Sequence, residues 1–451
     1  MDATAFPTRT AAATRIAASP RTATPLWPRL LRDVGLPLVL TRLALVAVTL
    51  TAAQWRVAVP DPHDYRSNIP PVANPLLSRW YHWDAGWYLR IAGNGPQMGY
   101  SRYTETPDHH YSAFAFFPLY PLLVRAAAVL LPGALASVPS VPAGQRGGPP
   151  PASLALVGLV VSNVAFVLAL IALYLLAESR AGPGAARRTV LLLCLFPTTI
   201  FFSAPYSESL FFLWLVLFFL YLDRRRWWLA GFCGLLASAT RSNGVFLAIP
   251  YLVAAWQALR ISSPLSRTPG EGSGVRVMGA RVLVLLPVLL IPLGVVGYMA
   301  YQWLAWGDPL RWYEAEKAWS RSLALPWSGI VNGITWSLRH WPHLTQPAWR
   351  GLTDALYALV FLALSAFAWR RVDWPGRAYM VVFWVYTLCE PATSEPTHPD
   401  TLISMARLLL VLLPLWLWLG QSRWRTPAVA LPSAFVLLFY AARWVNAGWI
   451  G

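Results

Sequence analysis

Residues 112 to 134 read SAFAFFPLYPLLVRAAAVLLPGA, and whether they cross a membrane decides the fold. The run is apolar and long enough to cross about 30 Å of hydrocarbon. Arg125, however, stands in mid-segment, where a charge exposed to lipid is costly. Pro118 and Pro121 also interrupt the first turns of a helix. We therefore predict a helix that lies in the outer membrane interface and does not cross it.

The composition of the chain is that of a polytopic membrane protein. Of its 451 residues, 57% are hydrophobic and only 12% are charged, and the mean hydropathy is +0.47. A water-soluble domain could not bury this much apolar surface. In a soluble protein the net charge of +17 would suggest nucleic acid. Here the basic residues lie in short connectors between apolar runs, so we expect membrane lipid and no nucleic acid as a partner.

When residues 112 to 134 are left out of the spans, the topology is consistent. Apolar runs of about 17–25 residues, the length that crosses a bilayer, recur about eleven times. They lie near residues 35–55, 152–177, 188–204, 206–222, 227–241, 244–260, 282–304, 353–370, 377–391, 403–420 and 427–446. With a cytoplasmic N-terminus, the Arg-rich connectors all fall on the cytoplasmic side, whereas a twelfth span would move the later ones outside. The sequence therefore predicts an all-α, multi-pass protein of the plasma membrane.

The other segments divide the chain into a tail, a membrane domain and two large loops. Residues 1–34 are rich in Ala, Thr, Pro and Arg and lack an early apolar core, which predicts a disordered cytoplasmic tail. Residues 35–446 form the transmembrane domain. On the extracytoplasmic side, we expect residues 56–151 as the first external loop and residues 305–350 as the second.

The first external loop contains RWYHWDAGWYLRIAGNG at residues 79–95, and Asp84 is its notable residue. Its aromatic neighbours are Trp80, Tyr81, Trp83 and Trp87. An acid beside aromatic surface at membrane depth is expensive to desolvate, so it is more often kept for a function than tolerated. The alternative is an aromatic belt at the membrane interface that contains one solvated acid.

Two adjacent histidines, His109 and His110, follow Asp108 further along this loop. Neighbouring residues rarely present both rings to one metal ion, and no third ligand is obvious, so we predict no metal site. A histidine beside a phosphate and a plain solvated loop both remain open.

The segment FPTTIFFSAPYSES at residues 196–209 forms an outer turn between two spans in this topology. Tyr206 and Glu208 could face the same cavity as Asp84. Alternatively, Ser207 and Glu208 cap the helix that follows and complement its positive end.

Two arginines at the outer ends of spans are candidates for binding a phosphate. Arg241 precedes the helix-breaking Gly244 in ASATRSNG, and its guanidinium offers a planar fork of donors. The alternative is a side chain that merely reaches to the interface. Arg407 follows His398 and Asp400 in SEPTHPDTLISMAR, and polar groups at membrane depth need partners. The alternative there is a structural ion pair between Asp400 and Arg407.

Five motifs occur in a fixed order from about residue 79 to the C-terminus. They are WDAGWYLRIAGNG, AFFPLYPLL, FFSAPYSESLF, ATRSNG and SMARLLLVLLPL. In this order they resemble the GPI mannosyltransferase II (PIG-V) family and its bacterial relatives. The resemblance implies the GT-C glycosyltransferase fold, in which a large first external loop carries an acidic residue and interfacial helices. It also implies a polyprenyl- or dolichyl-phosphate sugar as donor.

With this resemblance, the sequence predicts an inverting transfer of mannose from polyprenyl-phosphate mannose to a hydroxyl of a glycan or glycolipid on the extracytoplasmic face. Asp84 is the expected general base. The residues expected to bind the donor phosphate are Arg241, Arg407, His109 and His110. The residues expected to line the substrate cavity are Trp83, Trp87, Tyr206, Glu208, Asn243, His398 and Asp400. The scheme requires no metal and no cofactor beyond the lipid-phosphate sugar.

Two other functions were weighed against this one. A lipid or sugar transporter could line a pathway with the same polar residues, but transporters usually show inverted repeats, and none is visible here. A non-catalytic partner subunit of a membrane glycosylation complex is the other alternative. Every basic residue except Lys317 is Arg, which indicates a G+C-rich bacterial genome, so we do not expect the GPI acceptor of eukaryotic relatives.

Overall fold

The computed structural model describes residues 25–52, 54, 77, 79–99, 112–131, 152–261, 283–317, 321–340, 346–391, 401–423, 425–446 and 450. Over these residues the chain is helical and contains no β-strand. The helices of its first half are α1 (Leu26–Ala52), α2 (Asp84–Gly99), α3 (Leu119–Ala128), α4 (Ala152–Ala181), α5 (Pro183–Leu195), α6 (Glu208–Asp223), α7 (Trp227–Thr240) and α8 (Ala248–Ile261). Those of the second half are α9 (Leu293–Trp306), α10 (Arg311–Glu316), α11 (Ser328–Arg339), α12 (Gln346–Ala368), α13 (Trp374–Cys389), α14 (Met405–Leu408), α15 (Leu413–Gly420) and α16 (Arg425–Val445).

Within the described ranges, 6 helical segments are long and apolar enough to cross a membrane. They are Leu26–Ala52, Ala152–Ala181, Ser242–Arg260, Leu283–Trp306, Trp349–Arg371 and Arg425–Val445. Large apolar side chains on them, such as Leu43, Leu431 and Phe435, are exposed, as expected of surfaces that face lipid. The predicted class, an all-α membrane protein with several spans, is confirmed. The number of about eleven spans stays a prediction.

Helix α6 lies at the centre of the molecule, packed between α4 and α7. Its sequence, ESLFFLWLVLFFLYLD, is apolar on every side and almost entirely buried, as expected of a helix enclosed by others. Glu208 is the first residue of this helix. A carboxylate is therefore held at one end of the apolar core.

The span predicted at residues 403–420 is not one continuous helix. It consists of α14, a 3-10 turn at Leu409–Val411 and α15. Pro414 occupies the first turn of α15. Proline lacks a backbone N–H and suits the first turn of a helix, where that N–H has no helical partner, so a new helix can begin there. The break leaves Arg407 on a short helix of its own.

The segment that decides the topology forms a 3-10 turn at Ala113–Ala115 and the helix α3. Ten helical residues extend about 15 Å, half of the hydrocarbon thickness, so α3 is too short to cross. Arg125 Nη1 donates to the carbonyl oxygens of Ala92, at 2.9 Å, and Gly93, at 3.0 Å. Arg125, whose charge is unfavourable for a span, thus binds carbonyl groups just before Gly95, where α2 is interrupted by a kink (φ 75°, ψ 173°) and a helix end favours a cation.

The segment predicted as the second external loop packs against the segment predicted as the first. Helix α10 packs against the Ala113–Ala115 turn. Tyr298, at the base of the loop, donates a hydrogen bond to the carbonyl oxygen of Phe114 at 2.9 Å. The backbone N–H of Trp312 donates to Gln302 Oε1 at 3.1 Å. These contacts place the last residue of α10, Glu316, beside Asp84 and its neighbours.

Candidate functional site

Asp84 is the first residue of α2, where the positive end of the helix stabilises a carboxylate. The residue before it, Trp83, has a φ of 47°, a left-handed conformation that is uncommon for a non-glycine residue. The indole ring of Trp83 packs edge-to-face on that of Trp444, with ring centroids 4.9 Å apart. Backbone strain of this kind persists only where packing enforces it, and it is common at functional sites.

Arg407 joins two acids that come from distant parts of the chain. Its Nη1 donates to Asp84 Oδ2 at 2.6 Å, and its Nε donates to Glu208 Oε1 at 2.6 Å. The guanidinium carbon also lies 4.8 Å from the ring centroids of Phe201 and of Tyr206. Buried charges are tolerated when they are paired and hydrogen-bonded, and the Arg407 side chain is only 8% exposed.

Arg241 is the fourth member of this charge network. Its Nη1 donates to Glu208 Oε1 at 2.5 Å. Glu208 therefore binds both arginines, and the four residues Asp84, Glu208, Arg241 and Arg407 carry no net charge together. The Arg241 side chain is 26% exposed, whereas that of Glu208 is 3% exposed. Arg241 is thus an ion-paired residue at the edge of a cavity, not an arginine that merely reaches to the membrane interface.

The backbone conformation near Arg241 and near Arg407 places each side chain at the cavity. At Arg241 the chain leaves α7 in an extended conformation, with φ −151° and ψ 143°. Gly244 follows so closely on α7 that a Cβ atom there would lie 2.4 Å from the carbonyl carbon of Ala237. Ser404 precedes α14 with a φ of 67°, a second left-handed residue at the site. Thr198 donates to the carbonyl oxygen of Ala406 at 2.8 Å and holds α14 against the core.

The Ser207 side chain makes no capping hydrogen bond to α6. Its hydroxyl instead lies 2.7 Å from the hydroxyl of Tyr88. The Glu208 side chain binds the two arginines. Of the alternative in which Ser207 and Glu208 cap this helix, the structure shows Glu208 in the first turn but no cap by Ser207, whose hydroxyl hydrogen-bonds to Tyr88 of α2. Within the described residues, Glu208 Oε2 is buried and has no hydrogen-bond partner.

A cavity of about 120 Å³ opens beside this network. Four residues expected at the site line it: Asp84, Arg241, Asn243 and Arg407. The other lining residues are Tyr88, Ala115, Phe116, Phe117, Thr240, Ser242, Glu316, Arg321, Tyr386, Ile403, Ser404 and Leu408. The cavity thus combines charged groups of both signs with several aromatic rings, as substrate pockets commonly do.

Four further residues expected to line the cavity are not among its lining residues. They are Trp83, Trp87, Tyr206 and Glu208. The hydroxyl of Tyr206 donates to the carbonyl oxygen of His82 at 2.9 Å, and its ring packs against Arg407. Trp87 stacks on Phe116, with ring centroids 5.8 Å apart. These side chains pack against or hydrogen-bond to neighbouring residues, and in this way they support the residues that line the cavity.

Four expected site residues, His109, His110, His398 and Asp400, lie outside the described residues, as does Asp108. The suggested ion pair between Asp400 and Arg407 therefore stays a prediction. Within the described part, the partners of Arg407 are Asp84 and Glu208.

The sequence did not single out Glu316 and Arg321, which line the cavity and belong to the segment predicted as the second external loop. The available signal was a few charged residues in a tryptophan-rich loop, GDPLRWYEAEKAWSR. Nothing in their spacing relates them to Asp84. They reach the cavity because α10 docks on the first loop and because Ser322 and Ala324 hydrogen-bond to the carbonyl oxygens of Pro391 and Cys389.

The helices long enough to cross a membrane, together with the charged cavity, define an integral membrane protein with a polar site. The chain belongs to the mannosyltransferase (PIG-V) family, whose family model matches residues 36–321. The family expected from the five motifs is therefore confirmed. The protein is a membrane mannosyltransferase, a glycosyltransferase that takes a sugar donor and a glycan acceptor.

Curated relatives agree with this assignment. The chain is 26% identical over 378 residues to GPI alpha-1,6-mannosyltransferase 2 of Cricetulus griseus, with 69% of each protein covered. It is 30% identical over 261 residues to the enzyme of the same name from Rattus norvegicus, with 55% of this chain and 48% of that one covered. The relative from Mus musculus is 28% identical over 367 residues, with 67% of each covered.

A likeness to solved structures is weaker. Crystal structures of the Archaeoglobus fulgidus oligosaccharyltransferase match 90% of this chain with a TM-score of 0.39 and 13% sequence identity. This chain spans about half of that protein, 54% of its length. A TM-score this low carries no argument about function.

Proposed function

We propose that the protein is a GT-C-type enzyme that transfers mannose from polyprenyl-phosphate mannose to a hydroxyl of a glycan or glycolipid, with inversion at the anomeric carbon. The observation that carries the proposal is the contact between Asp84 and Arg407 at the edge of one cavity. It brings a carboxylate that can act as a base next to a cation that can bind a phosphate. The rodent relatives, named as GPI alpha-1,6-mannosyltransferases, support mannose as the sugar.

One-step inversion divides the chemistry between these two groups. The acceptor hydroxyl attacks the anomeric carbon from the face opposite the phosphate while Asp84 takes its proton. The bond from the anomeric carbon to the phosphate oxygen breaks, and its electron pair leaves with the phosphate. That leaving group needs positive charge but no proton, and the guanidinium groups of Arg241 and Arg407 supply it.

Without donor, the Asp84 carboxylate is occupied, because Oδ2 accepts a hydrogen bond from the Arg407 guanidinium at 2.6 Å. A donor phosphate competes for Arg407 Nη1 and releases the carboxylate. Arg407 keeps Glu208 through its Nε, so it does not lose its position. Binding of the donor thereby frees Asp84 to act as the base.

The proposed geometry suits a lipid-linked donor. The isoprenoid chain stays in the bilayer, and the phosphate and sugar enter the cavity from the membrane surface. In the proposed topology the N-terminus is cytoplasmic and the cavity opens on the extracytoplasmic side of the plasma membrane.

The test uses the purified full-length protein in lipid nanodiscs with radiolabelled polyprenyl-phosphate mannose. Extracted membranes from a strain that lacks the protein serve as the source of acceptor. We expect transfer of label by the wild type, loss of transfer in Asp84→Asn, and a product whose anomeric configuration is opposite to that of the donor. Transfer from GDP-mannose but not from the lipid donor, or a product of retained configuration, contradicts the proposal.

A further inference from the structure

Glu316 is a cavity residue that the proposed reaction leaves without a role. It lies at the end of α10 and lines the same cavity as Asp84, Arg241 and Arg407. Its helix is fixed by the Trp312 N–H bond to Gln302 and by packing on the Ala113–Ala115 turn. The position of Glu316 at the cavity is therefore fixed by contacts of its helix with neighbouring segments.

The state of Glu316 differs from that of the other two acids. Asp84 and Glu208 are ion-paired with arginine, whereas Glu316, within the ranges described above, forms no ion pair and no hydrogen bond through its side chain. Its helix neighbour Glu314 points away and pairs with Lys317 at 2.8 Å. The pKa of Glu316 is raised, chiefly because the carboxyl group is removed from water. The negative charges of Glu390 and Asp84 raise this pKa further, and the positive charges of Arg321 and Arg241 lower it. A carboxylate in this position gains from a hydrogen-bond donor that arrives with a substrate.

The charges in the cavity decide which substrate that is. The donor phosphate is drawn to Arg241 and Arg407 and repelled by a carboxylate. A neutral saccharide carries many hydroxyl donors, and an ionised carboxylate only accepts hydrogen bonds. Phe116 and Tyr386 line the cavity as well and offer apolar ring faces to the C–H groups of a sugar. The side of the cavity formed by Glu316 therefore suits the acceptor.

We propose that Glu316 binds a hydroxyl of the acceptor saccharide and thereby orients the attacking hydroxyl toward Asp84. This inference rests on the proposed function, since it assigns the second substrate of the same site. Glu316 is a residue for acceptor binding, and the proton still goes to Asp84.

The test compares Glu316→Gln, Glu316→Asp and the matched control Glu314→Gln, which changes an exposed acid on the same helix. Methyl α-D-mannopyranoside is the probe acceptor. Its binding to the full-length protein in nanodiscs is measured by saturation-transfer NMR, without any donor. In parallel, transfer of label from polyprenyl-phosphate mannose to the probe is compared with hydrolysis of the donor by water.

We expect Glu316→Gln to weaken probe binding about tenfold or more, the loss typical of a hydrogen bond to a charged group. Its acceptor KM should rise by a similar factor, while the donor KM and the rate of hydrolysis stay within about twofold. Glu316→Asp should recover part of the binding, and Glu314→Gln should match the wild type.

Three results would overturn the inference: wild-type protein that does not bind the probe, equal binding by wild type and Glu316→Gln, or equal losses of transfer and hydrolysis in Glu316→Gln. A different pattern would count against the proposed reaction alone. If the wild type binds the probe and Glu316→Gln does not, but neither consumes the lipid donor, the acceptor site stands and the donor assignment fails.

Discussion

Asp84→Asn separates a catalytic role for this acid from a structural one. The substitution keeps the size of the side chain and removes the base. A positioned general base contributes about 10²–10⁴-fold to the rate, so turnover should fall by that factor. In terms of the activation barrier, this loss is about 3–5 kcal/mol.

The cost in folding stability should be much smaller. The Asp84 side chain is 20% exposed, and Arg407 keeps its bonds to Glu208 when Asp84 is neutral. The side chain introduced by Asp84→Asn can still accept a hydrogen bond from Arg407 through its Oδ1, so the melting temperature should fall only modestly.

Glu208→Gln is the matched comparison within the same network. Glu208 is 3% exposed and binds both Arg241 and Arg407. Removal of its charge leaves two largely buried guanidinium groups with one acid, and breaking a buried pair typically costs about 3–5 kcal/mol of stability. We therefore expect a large fall in melting temperature for Glu208→Gln and a smaller one for Asp84→Asn.

Turnover and melting temperature should be measured on the same purified samples of both variants. Near-normal turnover per folded molecule in Asp84→Asn would refute the assignment of the base. A fall in stability equal to that of Glu208→Gln would show that Asp84 chiefly holds α2 against Arg407.

Three further predictions concern donor binding, pH and topology. Arg241→Ala should raise the donor KM about tenfold or more, because a charge-assisted hydrogen bond contributes about 1.5–3 kcal/mol. Arg241→Lys should raise the donor KM less. An unchanged donor KM would leave Arg241 with a structural role only. Burial and the positive charge of Arg79 lower the pKa of His82 from 6.5 to about 4, so the folded protein binds this proton less readily than the unfolded chain does. Stability should therefore fall as the pH drops from 6.5 toward 4, and the melting temperature of His82→Gln should fall less over this range; parallel curves would contradict this. In a chain without its native cysteines, an impermeant thiol reagent should label Ser140→Cys and not Ala181→Cys from outside the cell, and the opposite pattern would overturn the proposed topology.

Much of the fold could be predicted because membrane topology is encoded locally. Apolar length and the position of arginines predicted a helix at each of the six spans. Two other predicted spans are interrupted: that at 188–204, where the helix ends at Leu195, and that at 403–420, before Pro414. The non-crossing character predicted for residues 112–134 agrees with the ten-residue length of α3. The partner of Arg125 could not be predicted, because it is a pair of backbone carbonyl groups at residues 92 and 93.

The sequence predicted several residues of the candidate site but not the contacts between them. Asp84, Arg241 and Arg407 were chosen because charge is scarce and expensive at membrane depth. The sequence suggested Asp400 as a partner for Arg407, seven residues away. The described structure instead pairs Arg407 with Glu208, which is 199 residues away in the chain. Contacts of this kind depend on how helices pack, and no local pattern records them.

The charge balance of the network links its stability to the proposed reaction. Two arginines and two acids are neutral together, so the charges of this network balance without a bound ion. A phosphate adds negative charge to this balance, and Asp84 is the acid that can yield, because it is more exposed than Glu208 and shares a single nitrogen of Arg407. After transfer, the phosphate left on the lipid carries one more negative charge than before. In the proposed reaction both arginines then hold the product more tightly than the donor. Asp84 assists release of the lipid phosphate once it has passed its proton to water and binds Arg407 again as a carboxylate.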